Sequence, residues 1–281
     1  MRPSPKTESI RQRLNNLAQS LKLPYRNVET VFLIERLVAR LVADETLRGH
    51  LIFKGGFVGL KVYDSPRYTI DLDALLVKSN IEDTLTRVKQ RAELDSGDGT
   101  WFRFESQVSL TTQGEYGGIR QIFRVGIGEV PADIRRAQTL YFDLGIGDPV
   151  TPGPRQVTTP SLIPQNQDLS WSVYPVETIC AEKLHALLLH GDANSRSKDV
   201  YDLSLFLPKA DGAILGLALK RCFKFRDTSL PEKISADIKK INTQRLEQGW
   251  VNSVSTVPNA PDFKTSFEAL LKALTKLEKS F

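Results

Sequence analysis

A chain of 281 residues with 41% hydrophobic and 25% charged side chains is ordinary globular material, long enough to bury a substantial core in one large domain or two modest ones. No apolar run reaches about 18 residues, the polar start lacks the apolar middle of a secretory signal, and two cysteines, Cys180 and Cys222, are too few for a zinc cluster or a disulfide framework. A cytoplasmic protein with no membrane segment is therefore expected.

The net charge of +5 is unevenly spread. Residues 1–50 hold 9 Lys/Arg against 5 Asp/Glu and residues 151–281 hold 17 against 14, but residues 51–150 hold 12 against 14. An acidic middle between basic ends suits a cation-holding centre with a polyanionic partner reaching over the flanks, although chance alone produces such an imbalance on a basic chain.

Ile10–Leu21 and Val28–Ala43 are predicted helices. In the second, Val31, Ile34, Leu37, Val38, Leu41 and Val42 recur at three and four residues, and Glu35, Arg36 and Arg40 are expected to face outward. Leu51–Phe53 is a short strand running into Gly55-Gly56 and a helix through Tyr63. Asp64-Ser65-Pro66 is a turn, Thr69–Val77 a strand and Ile81–Leu94 a helix. Trp101–Leu110, Ile119–Ile127 and Thr139–Leu144 alternate as further strands. The stretch GDPVTPGPRQVTTPSLIP, with five prolines, is an extended connector or long loop. Val176–His190 and Lys198–Leu207 are helices, the latter starting near Ser195–Ser197, and amphipathic segments continue to Lys279. The expected organisation is a helical arm (1–48), an α+β core (49–150), a Pro-rich crossover (151–174) and a helical C-terminal half (175–281).

Two aspartates inside an apolar strand are unusual, because a carboxylate against a core is costly without a partner. Strand alternation puts Thr69, Asp71 and Asp73 on one face, with the two Asp Cα atoms about 6.6 Å apart. Such carboxylates can converge on hard cations roughly 3.5–4 Å apart, the arrangement used for in-line displacement at phosphorus. Asp143, on the face opposite Leu140, Phe142 and Leu144, is the candidate third acid. The plainer alternative is that Asp71 and Asp73 decorate a solvent face beside Arg67. Gly55 and Gly56, at a strand-to-helix turn, offer free N–H groups to which a phosphate can come close. In Val176–His190, Lys183 has Ile179, Cys180, Ala186 and Leu187 as its helical neighbours, so it either snorkels to a rim or is held inward for an anion. Asp199 and Asp202 lie one turn apart, where acids also complement a helix dipole. KRCFKFR, residues 220–226, is either a nucleic-acid surface or a helix with Phe223 buried. The three histidines form no metal-spaced set, and no P-loop, zincin or nucleophile-elbow motif occurs.

The sequence KGG followed by RYTIDLD resembles the glycine-rich turn and D-x-D strand of polymerase-β-type nucleotidyltransferases. More specifically it is similar to the R-x-S-x-D-[IL]-D signature of the AbiEii/AbiGii (MenT-like) toxin nucleotidyltransferases. DPVTPGP and YPVETICAEKLHALLLHGDANSRSKDVYDLSLFL are similar to that family's A-E-K-L…[RK]-D-x-Y-D-L block, so the resemblance spans roughly residues 50–207. It implies a polymerase-β-like α+β core with a mixed sheet, closed by a helical C-terminal half. It implies an NTP substrate, Mg²⁺ with Mn²⁺ as an alternative, a cognate antitoxin, and the 3′ end of tRNA as the RNA acceptor. Catalysis would fall to Asp71, Asp73, Lys183 and Asp199, with Asp71, Asp73 and Asp143 at the metal. Gly55, Gly56, Arg67, Thr69, Lys183 and Lys198 would bind the nucleotide. Thr69 stands where the family often has Ser, and Lys198 where Arg is frequent, which loses the bidentate fork. Two alternatives remain: a nucleotidyltransferase acting on a small molecule or protein, and a catalytically silent nucleic-acid or partner-binding module on the same fold.

Overall fold

The computed structural model describes residues 4–110, 117–190 and 196–281, so Ser195, expected at a helix start, lies outside the described residues. The chain forms two compact units. Unit 1 comprises Met1–Val62, Tyr68–Gly147 and Gln156–Val173, and unit 2 comprises Tyr63–Arg67, Asp148–Arg155 and Tyr174–Phe281.

Unit 1 begins with α1 (Pro5–Leu21), α2 (Tyr25–Val42), α3 (Glu45–His50), β1 (Leu51–Lys54) and α4 (Gly55–Val62). It continues through β2 (Asp71–Leu76), α5 (Ile81–Glu93), β3 (Thr100–Leu110), β4 (Gly118–Ile127), β5 (Gln138–Ile146), β6 (Arg155–Thr159) and β7 (Leu169–Val173). The strands form one mixed seven-stranded sheet in the order β3-β4-β5-β2-β1-β7-β6. β2 lies antiparallel to β1 and parallel to β5, and β3, β4 and β5 form an antiparallel meander. One face of this sheet buries Leu72, Ala74, Phe123, Val125, Leu140, Phe142 and Leu144. The other face carries Asp71, Asp73, Tyr141 and Asp143, all half-buried, as the period of two requires.

The expected outer face of α2 does not exist. Glu35, Arg36 and Arg40 are 0%, 4% and 4% exposed. The helix packs against α1, α5 and β7, so structure surrounds it and its charges are matched internally. Glu35 accepts from Arg36 Nη2 (2.7 Å), Lys61 Nζ (2.7 Å), Ser161 Oγ (2.6 Å) and Leu162 N (2.9 Å). Arg40 donates to the carbonyls of Ala92, Leu94 and Thr100 and to Asp98, with its guanidinium 4.6 Å from the Phe102 ring centre. Buried charges survive in this way only when hydrogen-bonded as well as paired. A second difference lies at β2, which starts at Asp71, so that Thr69 precedes the strand. α3 was not expected from the sequence. It is capped by Asp44, which accepts from Thr46 N and Leu47 N.

Unit 2 contains α6 (Val176–His190), α7 (Ser197–Phe206), α8 (Gly212–Phe225), α9 (Ile234–Lys240), α10 (Gln244–Gln248), α11 (Trp250–Ser253) and α12 (Phe263–Leu277). α6 packs on α7 and α8, and α12 on α7 and α9. The segment Tyr63–Arg67 is held here: Tyr63 Oη donates to Tyr174 O (2.7 Å), and Lys209 donates to Tyr63 O. Phe223 is buried against His185, with ring centres 4.8 Å apart, while Lys220, Arg221 and Lys224 are exposed.

His185 is a buried neutral imidazole. Its Nε2 lies 3.0 Å from Thr228 Oγ1, and Arg226 Nη1 lies 3.3 Å from Nδ1. An arginine can only donate, so Nδ1 accepts and the proton sits on Nε2. Burial first, and then the Arg226 charge, lower its pKa to about 4. Between the ordinary histidine pKa of about 6.5 and pH 4 the unfolded chain therefore binds a proton that the folded chain refuses, and stability falls as the pH drops through this window. His185→Gln, which can still donate and accept, is expected to flatten that slope in denaturation curves recorded at a series of pH values. An unchanged slope would show that other groups set it.

Candidate active site

β1 runs into α4 through Gly55, which has φ +73°, a conformation glycine adopts without steric cost. A Cβ there would lie 1.9 Å from Asp73 Oδ2, so the missing side chain is what lets the helix start meet the acid strand. Gly55 and Gly56 thus open α4 directly against the Asp73 carboxylate.

Strand register builds a charged row across the exposed sheet face. Lys54 pairs with Asp73, Asp73 with Asp143, and Asp143 with Arg120. One step along, Asp71 is opposite Tyr141. Thr69 Oγ1 donates to Asp71 Oδ1 (2.5 Å), which fixes that carboxylate from outside the strand. Asp71 and Asp73 offer oxygen-only, half-buried ligands on one face, a donor set that fits a hard divalent cation.

Asp143, expected as a third ligand, lies beside Asp73 by register. Arg120 Nε and Nη2 donate to its two oxygens, both at 2.7 Å. Among the described residues no three or more His, Cys, Asp or Glu side chains gather as a metal-holding group. Asp71 and Asp73 thus share this face with Asp143, which is paired with Arg120. Arg120 also lies with its guanidinium 4.8 Å from the Tyr141 ring centre. The hydrogen bonds to Asp143, and further the charges of Asp143 and Asp71, hold its pKa above the ordinary arginine value. Arg120 and Tyr141 escaped the sequence reading, because only the hairpin register brings them beside the acids.

In unit 2 a second charged cluster forms. Lys183 Nζ donates to Asp199 and lies 2.8 Å from Asp202 Oδ2. Arg196 Nε donates to Asp199 Oδ2 (2.8 Å). Arg67 grips Asp202 with both prongs, Nε to Oδ1 at 2.9 Å and Nη2 to Oδ2 at 2.8 Å. Burial alone would drive Lys183 toward neutrality, but the two carboxylates hold its pKa above the ordinary lysine range. Burial likewise opposes the charge on Asp202, yet Lys183 and Arg67 bring its pKa down to about 2. The fork of Arg67 is thus engaged by a carboxylate, and Lys183 is half-buried within the network. Lys198 is exposed, and Asp199 pairs instead with Lys183 and with Arg196, two residues before Lys198.

A family model described as the nucleotidyl transferase AbiEii toxin of a type IV toxin–antitoxin system matches residues 36–273. Among solved structures, the chain is similar to MenT4, the nucleotidyltransferase toxin Rv2826c from Mycobacterium tuberculosis H37Rv, at 16% identity and a TM-score of 0.60, over 94% of this chain and 89% of that one. It is similar to a putative nucleotidyltransferase from H. pylori at 15% identity and a TM-score of 0.54, over 92% of this chain and 96% of that one. JHP933 from Helicobacter pylori gives 15% identity and a TM-score of 0.52, over 92% and 94%. At these identities the likeness is one of fold. No curated protein matches the sequence.

Proposed function

The chain belongs to the AbiEii nucleotidyltransferase toxin family, and from that footing we propose that it transfers a nucleoside monophosphate from an NTP to an RNA hydroxyl, that of a tRNA 3′ end, in a Mg²⁺-dependent reaction. The observation that supports the reading is the closeness of Gly55 to Asp73, which sets the start of α4, read as the phosphate acceptor, beside a carboxylate read as a metal ligand.

In this reading Gly55, Gly56 and Thr69 receive the triphosphate, and Asp71 and Asp73 hold the divalent ions. Bound there, the ions would acidify the attacking hydroxyl and take up charge on the departing pyrophosphate. The glycine turn contributes N–H donors to phosphate oxygens without a side chain in the way. Thr69 orients Asp71 by donating to it. Lys183 and Asp199 are assigned to the nucleotide from the family's second motif block. Lys183 retains one N–H without a partner among the described residues, and that donor is the one assigned to phosphate. Arg67 and Arg196 then act as positioning residues for the acids beside Lys183.

The test is incubation with each labelled NTP, Mg²⁺ and total RNA. Label is expected in the tRNA band with one favoured nucleotide. Label appearing only on protein or on a small molecule would replace the acceptor, and no transfer under any condition would favour a silent binding module.

A further inference from the structure

We propose that the open edge of Arg120 is a phosphate-binding position on the sheet face beside Asp71 and Asp73, and that Asp143 is its anchor. The inference rests on the reading of that face as the transfer site. Two fixings hold the guanidinium. Asp143 takes Nε and Nη2 in a bidentate pair, and the Tyr141 ring lies against the plane. This leaves Nη1, whose two hydrogens make no bond among the described residues. The side chain remains 32% exposed.

An arginine whose carboxylate partner and ring already fix its orientation loses little freedom when it meets an anion. The anion it suits is a phosphate oxygen, since a planar N–H edge next to a carboxylate pair matches a ligand carrying both phosphate and metal. Register places Arg120 two strands from Asp73, about 10 Å at 4.8 Å per strand, and on the same face. The phosphate belongs either to the NTP or to the acceptor strand, and binding experiments separate the two.

The full chain with Mg²⁺ is titrated with α,β-methylene NTP analogues, which cannot react, and separately with a tRNA transcript across a salt series. Arg120→Ala is expected to weaken one of the two by about tenfold, the loss of a charge-assisted contact. Weaker analogue binding assigns the phosphate to the NTP. Weaker tRNA binding, with a salt slope shallower by about one, assigns it to the acceptor. Arg120→Lys should fall between, because it keeps the charge and loses the fork. Asp143→Asn should weaken the same ligand less, with the midpoint of Mg²⁺ titration unmoved. Unchanged affinity for both ligands in a folded Arg120→Ala protein overturns the proposal. So does an Asp143→Asn protein with a shifted Mg²⁺ midpoint and unchanged ligand affinities, which would return Asp143 to the metal. Asp73→Ala tests the transfer site separately: if that variant keeps full activity, the functional reading fails whatever Arg120 does.

Discussion

Asp73→Ala is expected to lower nucleotidyl transfer by about 10³-fold or more while leaving the melting temperature within a few degrees of wild type. The carboxylate is half-buried on the sheet face with Asp71 and Asp143, so its removal leaves no void in the core. Gly55→Ala reaches the same carboxylate by another route. Its Cβ would lie 1.9 Å from Asp73 Oδ2, and alanine at φ +73° adds about 1–2 kcal/mol of backbone strain. That variant should lose both activity and stability. Combining the two changes isolates the clash. The double variant is expected to be more stable than the sum of the singles by about 1 kcal/mol or more, because alanine at position 73 vacates the space that the new Cβ needs. Additive stabilities would mean that Asp73 swings aside freely, and the contact between the glycine turn and the acid strand would then have no functional weight.

Lys183→Met should be the most destabilising single change in unit 2. It leaves Asp199 and Asp202, each with a side chain 2% exposed, without their shared cation. Breaking a buried pair from one side costs about 3–5 kcal/mol, which corresponds to a fall of about 6–20 °C in melting temperature. Arg196 and Arg67 still serve one carboxylate each, so the loss falls at the low end of that range if they compensate. Adding Asp199→Asn should recover part of the stability, since the second substitution removes the charge the first one orphaned. Acid should act in the same direction. Asp202 has a pKa of about 2 against an unfolded value near 3.9, so its contribution is complete above pH 4 and disappears as the pH falls toward 2. Calorimetry of both variants at pH 7 and pH 3 measures the two effects together. A Lys183→Met protein as stable as wild type, yet inactive, would make the lysine purely a ligand for phosphate.

Local pattern was enough to place Asp71 and Asp73 on one face, because side-chain direction along a strand alternates whatever lies beside it. It was also enough for the bounds of Val176–His190, whose apolar run meets a proline before it and a glycine after it. The helical reading of α2 held, but the fate of its charges did not, because amphipathic patterning assumes one wet side and beyond its first turn no residue of this helix is exposed. Two strands hidden in the Pro-rich crossover, β6 and β7, emerge because the prolines at 154, 160 and 164 flank them and do not interrupt them. Pairing across the chain was beyond reach of any window. Arg120 meets Asp143 over 23 residues and Arg67 meets Asp202 over 135. The sequence alone specified which acids lie on the sheet face away from the core. That Arg120 meets Asp143 and Arg67 meets Asp202 was decided by strand register and helix packing, since a carboxylate's partner depends on what the fold brings within about 3 Å of it.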